Sequence, residues 1–126
     1  MILLDTSLLV DALSGPRRSA PDLRAAIASG QRISLPALVL YEWLRGPRRR
    51  EELETQEALF PRSAAVAFGA EEASVAADLY SRVRRPRGRE LDLAIAACAI
   101  ARDARLWTLN IEDFRDVPGL ALHAIG

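Results

Sequence analysis

The chain has 126 residues, long enough to bury a core without disulfides or a structural metal, and half of them are hydrophobic against 27% charged. Seventeen basic residues balance seventeen acidic ones, so bulk charge does not draw the protein to nucleic acid, although that argument leaves local patches untouched. Every basic residue is arginine, which excludes a Walker A lysine, a lysine Schiff base and the phosphate-sensing lysine of a receiver domain. The one cysteine, Cys98, lies inside an apolar segment and rules out a disulfide framework or a cysteine-rich zinc site. No apolar run nears the roughly 20 residues that span a bilayer, and Met1-Ile-Leu-Leu-Asp5 carries no basic stretch, so the expected compartment is the cytoplasm.

In chain order, Ile2 to Leu4 reads as a strand ending at Asp5. Thr6-Ser7 offers helix-capping chemistry, and Leu8, Leu9, Ala12 and Leu13 keep a helical period until Gly15-Pro16 breaks it. A second helix is expected over Ala20–Ser29, with Pro21 near its start and Gly30 as its stop. Arg32 to Leu35 is a strand closed by Pro36, and Ala37–Arg45 is a helix stopped by Gly46-Pro47. On that helix Leu38, Glu42 and Arg45 share one side, and Val39 and Trp43 share another. A charged helix follows over Arg48–Leu59, then a strand over Ala64–Phe68 and a long helix over Ala70–Arg84. After the loop Arg85-Pro-Arg-Gly-Arg89 comes an alanine-rich helix to Arg102, apolar on nearly every side and therefore interior. Leu106-Trp-Thr-Leu109 is a strand, Asn110 to Phe114 a helical turn, and Leu120 to His123 a last strand.

Strands alternating with helices predict one α/β domain over residues 1–126, a three-layer α/β/α sandwich with a mostly parallel central sheet. Ligand sites in such sheets lie at the carboxyl ends of the strands. Asp5 ends the first strand there, and Asn110 to Asp113 follow the strand from Leu106.

Four carboxylates stand at structured positions among apolar neighbours: Asp5, Glu42, Asp92 in the first turn of the alanine-rich helix, and Asp113. Each has a simpler explanation. Asp5 would bond nearby amides, Glu42 would pair with Arg45 or Arg49, Asp92 would serve its helix dipole, and Asp113 would complete a capping box with Asn110. Together, clustered carboxylates repel and raise one another's pKa unless a cation compensates. An all-oxygen set selects magnesium, with manganese as the alternative, over zinc. With a single histidine, His123, at the far end, metal-activated water is the better attacking group.

Leu3-Leu-Asp-Thr-Ser-Leu-Leu-Val-Asp11, Tyr41-Glu-Trp-Leu-Arg-Gly46, Asp92-Leu-Ala-Ile-Ala-Ala97 and Leu106-Trp-Thr-Leu-Asn-Ile-Glu-Asp-Phe114 together resemble the PIN-domain nucleases. More narrowly, the chain is similar to the VapC-type toxins of toxin–antitoxin pairs, over essentially its whole length. The resemblance implies a metal-dependent endoribonuclease with Asp5, Glu42, Asp92 and Asp113 as catalytic and metal-holding residues. Thr6 and Asn110 match the supporting polar positions, and the implied products carry a 5′-phosphate and a 3′-hydroxyl. Glu90 and Glu112 stand where many relatives place other acids, and are the substitutes to weigh. The resemblance further implies a VapB-like antitoxin, RNA as substrate, a homodimer and no membrane.

Two arginine groups flank the acids, Arg45, Arg48, Arg49 and Arg50 on one side and Arg82, Arg84, Arg85, Arg87 and Arg89 on the other. Either could form a phosphate-tracking rim, the second with better reason because a Pro/Gly loop carries it. Trp43 and Leu44 are expected either in the core or in a groove taking an antitoxin segment. Cys98 is expected to be packing, and His123 to have no catalytic part. The rival readings are a phosphoacceptor using Asp5, which lacks the second aspartate two residues on, and a degenerate PIN-like module that only binds RNA or protein.

Overall fold

The computed structural model describes residues 1–124. Four short strands, β1 (Ile2–Leu4), β2 (Ile33–Ser34), β3 (Arg105–Trp107) and β4 (Ala121–Leu122), form one sheet in the order β2-β1-β3-β4. All three pairings are parallel, with Leu3 opposite Ser34 and Leu106, and Leu106 opposite Leu122. Ile2, Leu3 and Leu4 are all fully buried. Consecutive strand residues point to opposite faces, so both faces of the sheet are covered, as an all-parallel sheet requires.

Six helices supply that cover: α1 (Thr6–Leu13), α2 (Ala20–Ala28), α3 (Ala37–Arg45), α4 (Arg50–Leu59), α5 (Ala70–Arg82) and α6 (Glu90–Ala101). The α/β/α architecture expected from the sequence is the one observed. Gly30 adopts φ +87°, the left-handed conformation that ends α2 without a Cβ penalty. Helix α6 is the interior helix; Leu93, Ile95, Ala96, Ala97, Cys98 and Ala99 are buried, and it packs on α5, α3 and β3. Its alanines allow close approach on several sides at once, which fixes the helix rigidly. Burial pushes the Cys98 thiol up to about 11, so at neutral pH it is an inert packing group. Among the described residues no helix is long and apolar enough to cross a membrane.

The segment Ala64–Phe68 is not the expected strand. Arg62–Ala64 is a 3-10 turn, and the only pairing is one parallel bridge between Pro36 and Val66. Val66 N–H donates to Leu35 O at 2.8 Å and Ala37 N–H to Val66 O at 2.7 Å. Helix α3 begins at Ala37, directly after Pro36, and the 3-10 turn ends only two residues before Val66, so the pairing stops after one position. Helix α4 starts at Arg50, not Arg48, because Arg48 is turned back onto Trp43. Its guanidinium lies 4.3 Å from the indole centroid, and Nε donates to Trp43 O at 2.9 Å. Trp43 is fully buried and belongs to the core. Of the two expectations for it the core is the one observed, while Tyr41 and Leu44 on the same helix are exposed.

Candidate active site

The chain order changes direction between β1 and β3. From β1 it passes to β2 on one side, then returns across the sheet to β3 on the other. The carboxyl ends of β1 and β3 therefore face the switch-point crevice where α/β sheets place ligands. Leu4 pairs with Trp107, so the residues that follow, Asp5 and Thr108, are neighbours; Asp5 N–H donates to Trp107 O at 2.9 Å.

Asp5 is only 4% exposed, and its carboxylate does not cap α1. Instead Oδ2 accepts two hydroxyl bonds, from Thr108 Oγ1 at 2.7 Å and Ser7 Oγ at 2.8 Å. Ser7 and Thr108 are 3.2 Å apart, and their oxygens also accept Leu109 N–H at 3.0 Å and Asn110 N–H at 2.9 Å. One buried oxygen thus organises the start of α1 and the loop after β3. Asp5 Oδ1 accepts no hydrogen bond among the described residues.

Glu42 reaches the same crevice from α3. Thr6 Oγ1 donates to its Oε1 at 2.5 Å, and Arg45 stands 3.6 Å from Oε2. The surface pairing with Arg45 expected for an ordinary glutamate does exist, but the Thr6 bond ties Glu42 to the residue beside Asp5. Asp92, in the first turn of α6, completes one wall. Asp5, Thr6, Ser7, Val10, Asp11, Glu42, Asp92 and Asn110 line an open cleft of about 420 Å³ together with Pro16.

Burial, then the charges of Asp5, Asp113 and Glu42, push the Asp92 carboxyl up to about 6, and Arg89 pulls it back only in part. Three negative groups therefore act on Asp92 with too little nearby positive charge to offset them. That excess, an all-oxygen donor set and a free Asp5 oxygen fit a hard divalent cation. Among the described residues, no three of the acids are yet gathered tightly enough to enclose an ion. Asp113 is the outlier. It is exposed on the 3-10 turn Ile111–Asp113, at the rim and outside the cleft lining, although its charge reaches Asp92. Asn110 makes no side-chain cap bond, so the capping box does not account for Asp113. Of the substitutes, Glu112 pairs with Arg115 at 2.7 Å, and Glu90 does not line the cleft.

Sequence reasoning missed Ser7, Thr108 and Asp11 at this site. The first two follow from parallel pairing of β1 with β3, since the residues just past paired strand ends must meet. Asp11 is one of the cleft residues, and its Oδ2 accepts from Ser19 N–H at 2.8 Å and from the Ser19 hydroxyl. These bonds, Ser19 Oγ foremost, hold its pKa below the usual carboxylate range despite burial. Asp11 therefore closes the loop between α1 and α2.

The sequence pattern of the PIN domain family matches residues 2–120. The chain belongs to the PIN-domain family. It is 36% identical over 122 residues to Ribonuclease VapC19 of Mycobacterium tuberculosis, covering 95% of this chain and 97% of that one. This likeness groups it with the VapC branch of the PIN domains. Among solved structures it is similar to VapBC2 from Rickettsia felis bound to a DNA fragment from their promoter, with TM-score 0.77 and 25% identity over 98% of each chain. It also shares the fold of DNA-bound VapBC from Salmonella typhimurium, with TM-score 0.79 and 17% identity over 97% of this chain and 96% of that one.

Around this PIN-domain site the arginines sort into engaged and free. Arg45 pairs with Glu42 and lies 5.3 Å from the Tyr41 ring centroid, Arg48 covers Trp43, Arg49 pairs with Glu52, and Arg50 with Glu54. The first cluster is thus largely consumed by local contacts. In the second, Arg82 pairs with Asp78 and Arg89 with Asp116. Arg84, Arg85 and Arg87 are not buried and have no ion pair among the described residues. His123 lies 4.6 Å from Trp107, centroid to centroid, and burial lowers its pKa; it is not a cleft residue.

Proposed function

We propose that this chain is the toxin of a type II toxin–antitoxin pair and a divalent-metal-dependent endoribonuclease. The convergence of Asp5, Glu42 and Asp92 on one open cleft, with Thr6 beside Asp5 bonded to Glu42, carries the proposal. Asp5 Oδ1 and Asp92 would hold magnesium, or manganese in its place, with Glu42 and Asp113 completing the set. Such an ion, when bound, supplies the charge that lowers the pKa of a water and stabilises a leaving oxygen.

The chain's own residues do the rest. Ser7 and Thr108 fix the Asp5 carboxylate so that its free oxygen faces the cleft. Thr6 and Arg45 orient Glu42, which would position the attacking water or complete the metal's shell. Arg84, Arg85 and Arg87 meet the RNA backbone as a rim of point charges, giving register and not sequence. The expected products carry a 5′-phosphate and a 3′-hydroxyl.

The antitoxin is the second part of the proposal, supported by the toxin–antitoxin complexes among the similar structures. Its seat is an apolar groove of about 610 Å³ between α1, α2 and α4, lined by Leu13, Leu23, Ile27 and Leu59. Ile27 and Leu59 are exposed there, with Arg17 and Arg24 on its lining available to an acidic segment. This groove, and not the stretch of Trp43 and Leu44, takes the antitoxin segment. The expected homodimer belongs to the same proposal, and light scattering on the purified chain gives the subunit count.

The test is cleavage of RNA by the purified protein with Mg²⁺, with EDTA, and with Mg²⁺ restored. Asp5→Asn keeps an oxygen for Ser7 and Thr108 but removes the charge. It should melt near the parent and cut more than about a hundredfold more slowly, a barrier rise of about 3 kcal/mol. Cleavage that survives EDTA would overturn the metal reading. Metal-dependent RNA binding without any cleavage would favour a module that only binds.

A further inference from the structure

Arg89 sits where three parts of the site meet. The turn before it is closed by Arg89 N–H donating to Pro86 O at 2.9 Å, with Gly88 at φ +81°. That conformation suits glycine, and it delivers Arg89 as the N-cap of α6, three residues ahead of Asp92. The side chain then leaves its own helix. Nη1 donates to Asp116 Oδ2 at 2.9 Å, and Nη2 to Asp116 Oδ1 at 2.6 Å and to the Asp113 carbonyl at 3.0 Å. The fork is thus bidentate to one carboxylate and bonded to the backbone of another acid's residue, a geometry arginine can make and lysine cannot. Only 20% of the side chain is exposed, so the guanidinium is set in place and is not available to a phosphate, contrary to its place in the sequence-based rim.

Asp113 needs such a tie. It stands on a three-residue turn, exposed, with no hydrogen bond to its carboxylate among the described residues. Buried Phe114 and Val117 anchor this segment in depth, but apolar contacts do not fix which way the turn faces. A directional bond to the Asp113 carbonyl does.

We infer that Arg89 is a positioning residue: clamped on Asp116 and bonded to the Asp113 carbonyl, it sets the turn bearing Asp113 against the helix bearing Asp92. The inference rests on the metal reading proposed above and assigns Arg89 and Asp116 to building the fourth acid into the site. Removing partners that orient metal ligands lowers metal affinity by about 10–100-fold.

The experiment is Mn²⁺ titration by calorimetry on RNA-free protein, for the parent, R89A, R89K and D116N, with hydrogen exchange over residues 111–116. Both R89A and D116N should weaken Mn²⁺ binding at least about tenfold and speed exchange in that turn, while the KM for RNA stays within about twofold. R89K should fail like R89A, because it keeps the charge and loses the fork. Full rescue by lysine would overturn positioning in favour of simple charge. A raised KM with unchanged Mn²⁺ affinity would make Arg89 a phosphate contact and overturn the inference alone. A parent protein that binds no Mn²⁺ would overturn the metal reading and this inference with it.

Discussion

Asp92→Asn should stabilise the metal-free protein at neutral pH while removing its activity, an opposition that few structural carboxylates would show. The Asp92 carboxyl is pushed from an ordinary 3.8 to about 6, by burial first and by Asp5, Asp113 and Glu42 next. A shift of that size corresponds to about 3 kcal/mol of penalty on the charged form, which solvent screening of a partly exposed group cuts to about 1.5–2 kcal/mol. Against this, a carboxylate in the first turn of α6 gains about 0.3–1 kcal/mol from the helix N-terminus, which asparagine forgoes. The repulsion wins, and the variant should gain about 1 kcal/mol, or about 3–5 °C in Tm for a chain of this size.

The pH dependence has a defined sign. A carboxyl whose folded pKa is raised contributes full stability below its unfolded pKa and loses it as pH rises through the folded one. The gap between variant and parent should therefore be largest above pH 6 and shrink to roughly a third by pH 4.5. Thermal melts followed by circular dichroism in EDTA between pH 4.5 and 7.5 measure it. Adding Mn²⁺ should reverse the order, since an ion at about 100 times its Kd adds about 2.7 kcal/mol to the parent alone. A variant no more stable than the parent at pH 7.5 in EDTA, or a gap that does not depend on pH, would refute the reasoning.

Two further outcomes follow from the surface. Replacing Arg84, Arg85 and Arg87 by alanine should weaken RNA binding at low salt and flatten its logarithmic salt dependence by about 0.7 for each phosphate no longer neutralised; an unchanged salt slope would make these side chains a merely solvated face. In the α1–α2–α4 groove, Ile27→Glu should release a VapB-like antitoxin while leaving RNA cleavage at the parental rate, checked by co-purification of the two chains. Retained binding would move the interface elsewhere.

Much of this protein was written in its sequence because the signals concerned are local. The apolar strands ending in Asp5 and preceding Asn110, the proline and glycine stops, and the all-round apolar pattern of α6 each depend only on neighbours in the chain. They sufficed for a parallel α/β sheet with acids at its carboxyl end and for the resemblance to the PIN domains. What sequence could not decide was which polar groups meet. The register of β1 against β3 brings Thr108 to Asp5 across 103 positions. Folding carries Arg89 to Asp116 across 27, and lays Arg48 on Trp43, turning that helix face into core. The strand expected at Ala64–Phe68 failed for the same reason, since pairing depends on a partner and the partner chain there turns into α3 right after Pro36. Charges and hydroxyls at the end of a sheet are chosen by composition, but their pairing is a property of three-dimensional neighbours, and only the tertiary structure supplies those.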